Sequence, residues 1–271
     1  MTYSLIDSGF EQKFERFGDF ALIRPCPQAL WRPLHPDRWK DADATFSREP
    51  EKIWRMNRKL PPSWIVEIGD VRFKIALTDF GHLGVFPEHA FLWTAMRPLI
   101  RKNMRILNLF AYSGGVSMAA AQEGAQVCHV DAAKGMIDWA RENAALNQLE
   151  KAPIRWIVDD AIKFMKREIK RKSFYDGIIL DPPTFGRGNK GEVFKIERDL
   201  LALLELCKEL LSDRKRFLIL SCHTPLISPL VLQNVVEQVL GKGQLKTGEM
   251  TLTPSDGFSI PSGCYAMKIY G

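Results

Sequence analysis

Apolar and polar positions follow two rhythms along this chain. From Met104 onward, short apolar runs alternate with longer stretches whose apolar residues return every three or four positions, the pattern of buried strands joined by amphipathic helices. The runs are 104–110, 125–131, 154–160, 175–181 and 216–222. Helices are predicted over 116–123, 134–147, 161–172, 194–212 and 229–240. Met136, Ile137, Ala140, Ala144 and Leu146 share one helix face, and Ile162, Phe164, Met165 and Ile169 share another. A closing strand pair, 243–253 and 263–270, flanks the turn-forming Thr253-Pro-Ser-Asp-Gly257. Strands alternating with helices predict an α/β fold built on a Rossmann-like, mostly parallel sheet with an antiparallel strand near its edge.

Upstream the rhythm is weaker. Residues 1 to about 60 carry many aromatics and turns; Phe20–Arg24 reads as a strand that the following prolines end. Trp64–Gly69 and Asp70–Leu77 read as a hairpin joined by a Gly-Asp turn. The expected organisation is a small β-rich domain over 1–82 and a larger α/β domain over 83–271. Trp31, Trp39 and Trp54 are interleaved with Arg32, Arg38, Lys40, Arg55, Arg58 and Lys59. That interleaving suits stacking and charge neutralisation on RNA, or a tryptophan core under solvated charges, and the core is the preferred reading.

The chemistry gathers where the strands end. Asn108-Leu-Phe-Ala-Tyr-Ser-Gly114-Gly115 joins a strand to a helix through small residues, a turn that puts backbone N–H groups beside a strand's carboxyl end. The next strand ends in Asp131, close to the roughly 20-residue spacing expected of an acid that accepts from ribose hydroxyls. A helix N-cap is the alternative for such an aspartate. The third strand ends in Asp159-Asp160, the fourth in Asp181-Pro182-Pro183 and the fifth in Ser221-Cys222. The first turn does not supply Gly-x-Gly-x-x-Gly, which argues against a nicotinamide enzyme.

As an ordered set, these motifs, with His129-Val-Asp131, Val158-Asp-Asp160-Ala161 and Asp181-Pro-Pro-Thr-Phe185, resemble class I S-adenosylmethionine-dependent methyltransferases. More narrowly they resemble the large-subunit ribosomal RNA methyltransferases that include the cytosine-5 enzymes. The resemblance runs from about Leu83 to the C-terminus and implies a seven-stranded sheet with S-adenosyl-L-methionine at its carboxyl edge. It implies cofactor contacts from Phe86, Phe110, Ala111, Tyr112, Ser113 and Gly114, from Asp131 and Ala132, from Asp160 and Ala161, and from Asp181. Larger members carry an additional N-terminal RNA-binding domain, for which this chain leaves no room ahead of its hairpin.

For the substrate, Asp181, Pro182, Pro183 and Phe185 are expected to receive a flipped base, the carboxylate at its edge and the phenyl ring on its face. Gly186–Gly191 is a glycine-rich basic stretch suited to gripping substrate or to simple connection. Cys222 bears on the reaction type. A thiolate adding at cytosine C6 makes C5 nucleophilic toward the methyl group, and a base then removes the C5 proton. Asp181, if protonated, donates to the ring nitrogen, and His223 is a lesser candidate for the proton. The resemblance therefore implies a 5-methylcytosine-forming enzyme on large-subunit ribosomal RNA. The alternatives are purine N-methylation with Cys222 as core, and a non-catalytic cofactor- or RNA-binding module.

Composition adds boundaries. In 271 residues, 46% are hydrophobic, enough for a full core, and no run is long enough to cross a bilayer. The N-terminus shows no signal-peptide pattern. Cys26, Cys128, Cys207, Cys222 and Cys264 are dispersed, without a Cys-x-x-Cys pair, so the expectation is a reducing cytoplasm and no metal. A net charge of +6 suits an RNA partner, ribosomal by the resemblance, with no membrane association. The six bases of Ala161–Lys172 against one glutamate read as a solvated outer face, with RNA contact as the alternative.

Overall fold

Residues 2–48, 52–187 and 193–271 are described by a computed structural model. The chain divides into two units, Met1–Ala90 with Thr251–Ser262, and Phe91–Met250 with Gly263–Gly271.

The first unit holds a five-stranded sheet of β1 (Tyr3–Gly9), β2 (Gln12–Phe17), β3 (Phe20–Pro25), β4 (Ala44–Ser47) and β5 (Ile53–Met56), paired in that order. A separate hairpin, β6 (Trp64–Ile68) and β7 (Val71–Ile75), turns at Gly69 and Asp70, both left-handed, as the Gly-Asp pair implies. The pattern of positions shows β3 and the hairpin but conceals the other four strands, for physical reasons. A bulge between Leu5 and Asp7 breaks the two-residue alternation of β1. The β1–β2 turn places Phe10 and Glu11 at φ 51° and 60°, a conformation usually signalled by asparagine and glycine. Strand β2 buries a charge, Glu15, where alternation predicts an outward residue. The Glu15 carboxylate accepts from Arg24 Nε (2.7 Å) and Nη2 (3.0 Å) and from the Tyr3 hydroxyl (3.0 Å), a paired charge that burial permits. The tryptophans are half-buried, with Trp31 and Trp39 packed against small buried clusters of this unit. The indole N–H groups of Trp31, Trp39 and Trp54 donate to Ser8 O, Asp7 Oδ2 and Thr78 O.

The second unit is the expected α/β body. After α1 (Ala90–Met96) come β8 (Arg105–Leu109), α2 (Gly115–Gln122), β9 (Gln126–Asp131), α3 (Lys134–Leu146), β10 (Ile154–Val158), α4 (Ala161–Lys170) and β11 (Gly177–Leu180). A short antiparallel pair, β12 (Phe185–Arg187) and β13 (Val193–Lys195), precedes α5 (Ile196–Leu210), β14 (Phe217–Cys222), α6 (Pro229–Leu240), β15 (Leu245–Leu252) and β16 (Ile260–Ile269). Seven strands form one sheet in the order β10-β9-β8-β11-β14-β16-β15. Its first five strands pair in parallel, and β16 runs antiparallel to β14. The order reverses beside β8, which leaves a crevice outside its carboxyl end.

One face of the sheet packs on α4, α5 and α6. Leu107, Leu109, Ile178 and Leu180 share a buried cluster with Phe164, Met165, Leu203, Leu204 and Val236. Each such side chain contributes about 1.5–3 kcal/mol of burial. In α4, Phe164 and Met165 face inward while Lys166, Arg167 and Lys170 are exposed, the solvated outer face that the pattern suggests. Its lone acid, Glu168, is fully buried and accepts from Tyr175, Arg155 and Arg171. Among the described residues, no helix is long and apolar enough to cross a membrane.

Candidate active site

The β8–α2 turn is more tightly wound than its sequence suggests. Phe110, Tyr112 and Gly114 lie at φ 54°, 50° and 91°, three left-handed residues separated by single residues. At Gly114 an added Cβ would also stand 3.2 Å from both Ala140 Cβ and Met118 Cε, so only glycine fits without strain. The turn closes on itself. Ala111 N–H donates to Val130 O (3.1 Å), Tyr112 N–H to Asp131 Oδ2 (2.9 Å) and Gly114 N–H to Ala111 O (3.0 Å). Three N–H groups expected to face a ligand are therefore already paired.

A buried polar chain supports the turn from beneath. Asn108 Nδ2 donates to Ser117 Oγ (2.9 Å), which lies 2.9 Å from His129 Nδ1. Burial pushes the His129 imidazole down to about 3, so the ring in this chain is neutral. Asn143 of α3, also buried, donates to Ser113 O (3.0 Å). Sequence reasoning missed this set, whose one available signal is polar residues recurring on otherwise small or apolar helix faces.

Asp131 ends β9 with one carboxylate oxygen on Tyr112 N–H and the other on Ala133 N–H (2.9 Å). Burial pushes its carboxyl above the ordinary value, and the two N–H bonds only partly offset this. A carboxylate has about four acceptor sites, so two remain. At the end of β10, Asp160, expected as a cofactor contact, caps α4 by accepting Lys163 N–H (2.9 Å). Asp159 accepts the Asp160 N–H and pairs with Arg167.

These residues border a cavity of about 330 Å³, the size of a small-molecule site. Of the residues expected to hold cofactor, Phe110, Asp131, Ala132, Asp160 and Ala161 line it, and Pro183 joins them from the substrate set. Ala111, Tyr112, Ser113 and Gly114 form the turn behind it; Ser113 and Gly114 are buried. The β12–β13 ribbon supplies Gly186, Val193 and Phe194, with the Phe194 ring 5.8 Å from that of Phe110. Phe194 was missed because a three-residue ribbon strand carries no legible period, while Lys163 and Lys166 of α4 and Arg198 of α5 reach the rim from helix faces whose charges read as solvated. Of the glycine-rich basic stretch, residues 188–191 lie outside the described residues. Phe86 belongs to the N-terminal unit, where its ring meets His82 (5.3 Å) and His89 (5.8 Å).

Asp181 follows β11. Its Oδ1 accepts the Ser221 hydroxyl (2.7 Å), and His223 Nε2 lies 3.7 Å away. Pro182 is buried, Pro183 exposed, and Phe185 is 48% exposed. Thr184 Oγ1 lies 2.8 Å from Thr224 Oγ1, which ties this loop to the one after β14. Cys222 points the other way. It is 0% exposed in the core cluster with Leu232 and Val236 of α6, directly opposite Cys264 of β16. A hydrogen bond from the Cys264 thiol, against the penalty of burial and with help from Thr224, holds the Cys222 thiol below its ordinary value. The single Cys264 S–H also has Ile227 O within 3.2 Å, so it serves one acceptor at a time.

A sheet-edge cavity with carboxylates at one wall and aromatic rings at another is the kind of site in which α/β proteins hold nucleoside-bearing cofactors. Comparison with known proteins narrows it. Residues 46–240 match the family model described as S-adenosylmethionine-dependent methyltransferase, and the chain belongs to that family. The solved SAM-dependent methyltransferase from Agrobacterium tumefaciens is 38% identical, with a TM-score of 0.95, over 99% of this chain and 90% of that one. The SMU.776 protein, crystallised with SAH, shares the fold at 21% identity and a TM-score of 0.79, over 99% of this chain and 75% of that one. The ribosomal RNA large subunit methyltransferase K/L of Pseudoalteromonas atlantica is 37% identical over 138 residues, 49% of this chain and 18% of that protein. Its counterpart from Shewanella frigidimarina is 33% identical over 205 residues, 73% of this chain and 27% of its own length. The chain thus spans about a fifth to a quarter of those relatives. The residues present fit the family's cofactor: Asp131 offers free acceptor sites, and Phe110, Ala161, Ile162 and Phe194 offer apolar walls for a flat base.

Proposed function

We propose that the chain transfers a methyl group from S-adenosylmethionine to a base of large-subunit ribosomal RNA. The observation that carries this reading is one cavity whose lining runs from Asp131 and Asp160 to Pro183, so that cofactor wall and Asp-Pro-Pro loop are continuous. Asp131 would accept the ribose hydroxyls, Phe110, Ala132, Ala161 and Phe194 would enclose the adenine, and Ala111 to Gly114 would shape the site for the amino-acid portion. Phe86 is proposed as a further cofactor contact. Bound there, the cofactor supplies an electrophilic methyl sulfonium, and the chain's own task is to align an acceptor and exclude water. Asp181, oriented by the Ser221 hydroxyl, would take the base's polar edge. The stiff Pro182-Pro183 turn would hold that edge in register, and the open Phe185 ring would stack on its face.

For the acceptor atom, the burial of Cys222 favours a purine nitrogen. Such a nitrogen carries its own lone pair, so Asp181 and the proline turn suffice, and a thiol packed against α6 is not needed at the edge. The second reading, cytosine C5 with Cys222 adding at C6, draws on the thiol's lowered pKa and on its place next to Ser221.

The test is incubation with methyl-labelled cofactor and either total RNA or large ribosomal subunits, followed by digestion to nucleosides. Label in an N-methylpurine, retained in Cys222→Ala, is the expected result. Label in 5-methylcytosine, lost in Cys222→Ala while cofactor still binds, establishes the second reading. Cofactor binding with no RNA labelled contradicts both.

A further inference from the structure

The N-terminal unit carries a second cavity, about 130 Å³, whose charged lining none of the chemistry above uses, although Phe86 forms part of its wall. It is lined by Lys13 from β2, Arg24 from β3, Arg48 just beyond β4, and Phe80, His82 and Glu88 from the 80–88 segment. Among the described residues, three cations therefore stand against one lining carboxylate. The neighbouring acid, Glu15, is shared between Arg24 (2.7 Å) and Lys13 (3.1 Å), so it does not cancel both. The residual field is positive, and His82 registers it. Partial burial, then the charges of Arg24 and Arg48, hold its imidazole below the ordinary value against the pull of Glu88.

The rim is aromatic. Phe80 is 68% exposed, with Lys52 Nζ 6.0 Å from its ring centre. The ring stands on a fixed turn, since Gly81 N–H donates to Thr78 O (3.0 Å), Thr78 Oγ1 to His82 O (2.8 Å) and Arg24 Nη1 to Gly81 O (3.2 Å). Gly81 lies at φ 76°, and an added Cβ would meet the Phe46 ring at 2.4 Å, so the turn is locked onto β4. Unlike the three tryptophans, whose indole N–H groups serve the unit's interior, Phe80 is largely exposed.

A cationic cavity with room for one phosphate, next to an open ring held by rigid backbone, matches the chemistry of a single nucleotide in an unpaired strand. We propose that this cleft is a single-stranded RNA subsite, in which a backbone phosphate enters between Arg48, Lys13 and His82 while its base stacks on Phe80. The proposal rests on the RNA-substrate reading above. It adds a grip on a nucleotide other than the methylated one, in a unit outside the α/β body.

The test uses the full chain, a fluorescein-labelled single-stranded oligouridylate, and the variants Phe80→Ala and Arg48→Gln, both at exposed positions. Anisotropy titrations across a salt series should show about tenfold weaker binding for Phe80→Ala. For Arg48→Gln the slope of log affinity against log salt should fall in magnitude by about one. Titrations with S-adenosylhomocysteine should give one affinity for all three proteins. The His82 imidazole, followed by NMR, should titrate at higher pH when the oligonucleotide is bound, because a phosphate offsets the cations around it. Oligonucleotide bound equally by wild type and both variants overturns the subsite and leaves the RNA-substrate reading standing. No oligonucleotide bound by a wild type that still methylates RNA overturns the subsite alone, and the absence of both binding and methylation overturns both. Full competition by millimolar inorganic phosphate, with Phe80→Ala unchanged, reduces the cleft to a small-anion site and overturns the proposal.

Discussion

The two edges of the seven-stranded sheet hold the same kinds of side chain in opposite states. At the amino edge, Asp176 accepts Arg105 N–H and the Ser212 hydroxyl, and in the layer against it Glu168 accepts from Tyr175, Arg171 and Arg155. Both acids are buried. At the carboxyl edge, Asp131 and Asp160 are half-buried, keep acceptor capacity after their backbone bonds, and face a cavity. Residue type alone therefore does not separate a structural carboxylate from a binding one. Remaining hydrogen-bond capacity and the space in front of the oxygens do.

The sharpest way to break this contrast is to delete one acid from each edge. Glu168→Ala leaves the buried Tyr175 hydroxyl without its partner and should lower unfolding free energy by about 3 kcal/mol in urea titrations, with cofactor affinity unchanged. Asp131→Ala should do the reverse, raising the dissociation constant for S-adenosylhomocysteine about 30- to 100-fold by calorimetry, with a smaller loss of stability. If Glu168→Ala instead weakened the cofactor and Asp131→Ala only the fold, the assignment of the edges would be inverted.

The pH dependence sharpens the same comparison with a smaller effect. Burial pushes the Glu168 carboxyl up, but the Tyr175 hydroxyl and the two arginines outweigh it and hold it below its ordinary 4.5. Its contribution is full above 4.5 and is lost as pH falls through its lower folded value. Asp131 is raised above its ordinary 3.8, so its contribution is greatest below 3.8 and is lost as pH rises through its folded value. Urea unfolding from pH 3 to 7 should therefore show the stability gap between wild type and Glu168→Gln widening with pH. The gap between wild type and Asp131→Asn should narrow. Parallel slopes would contradict the two assignments.

The smallest effect concerns the outer face of α4. Lys170→Gln sits on its exposed surface and should change stability by no more than about 0.5 kcal/mol. An equal salt slope for RNA binding in this variant marks that face as solvated only; a shallower slope adds it to the RNA contacts.

Much of the α/β body was legible because its central strands β8, β11 and β14 are mostly apolar and buried, and α5 keeps an apolar stripe of Leu200, Leu203, Leu204 and Cys207. Legibility failed where a charge or a turn broke the local rule. Buried Glu15 and the bulge before Asp7 erased the period of β1 and β2, and the Phe10-Glu11 turn carries none of the residues that normally announce its geometry. At the site, Asp131, Ala132, Asp160 and Ala161 could be placed because strand ends are one-dimensional landmarks. Phe194, Asn143 and the Asn108-Ser117-His129 chain could not, since each reaches the site across elements far apart in sequence. The Cys222 thiol shows a further limit: a strand end fixes where a residue lies along the sheet edge, while the pleat decides which face it meets.

On the function proposed above, the cavity bordered by Asp131, Asp160 and Phe194 holds S-adenosylmethionine and its product. Isothermal titration of the purified chain with S-adenosylhomocysteine tests it directly. The expected result is a single site whose heat is lost in Asp131→Ala and whose occupancy raises the melting temperature. No heat and no thermal shift with S-adenosylhomocysteine, together with both for a nicotinamide or flavin nucleotide, would contradict it.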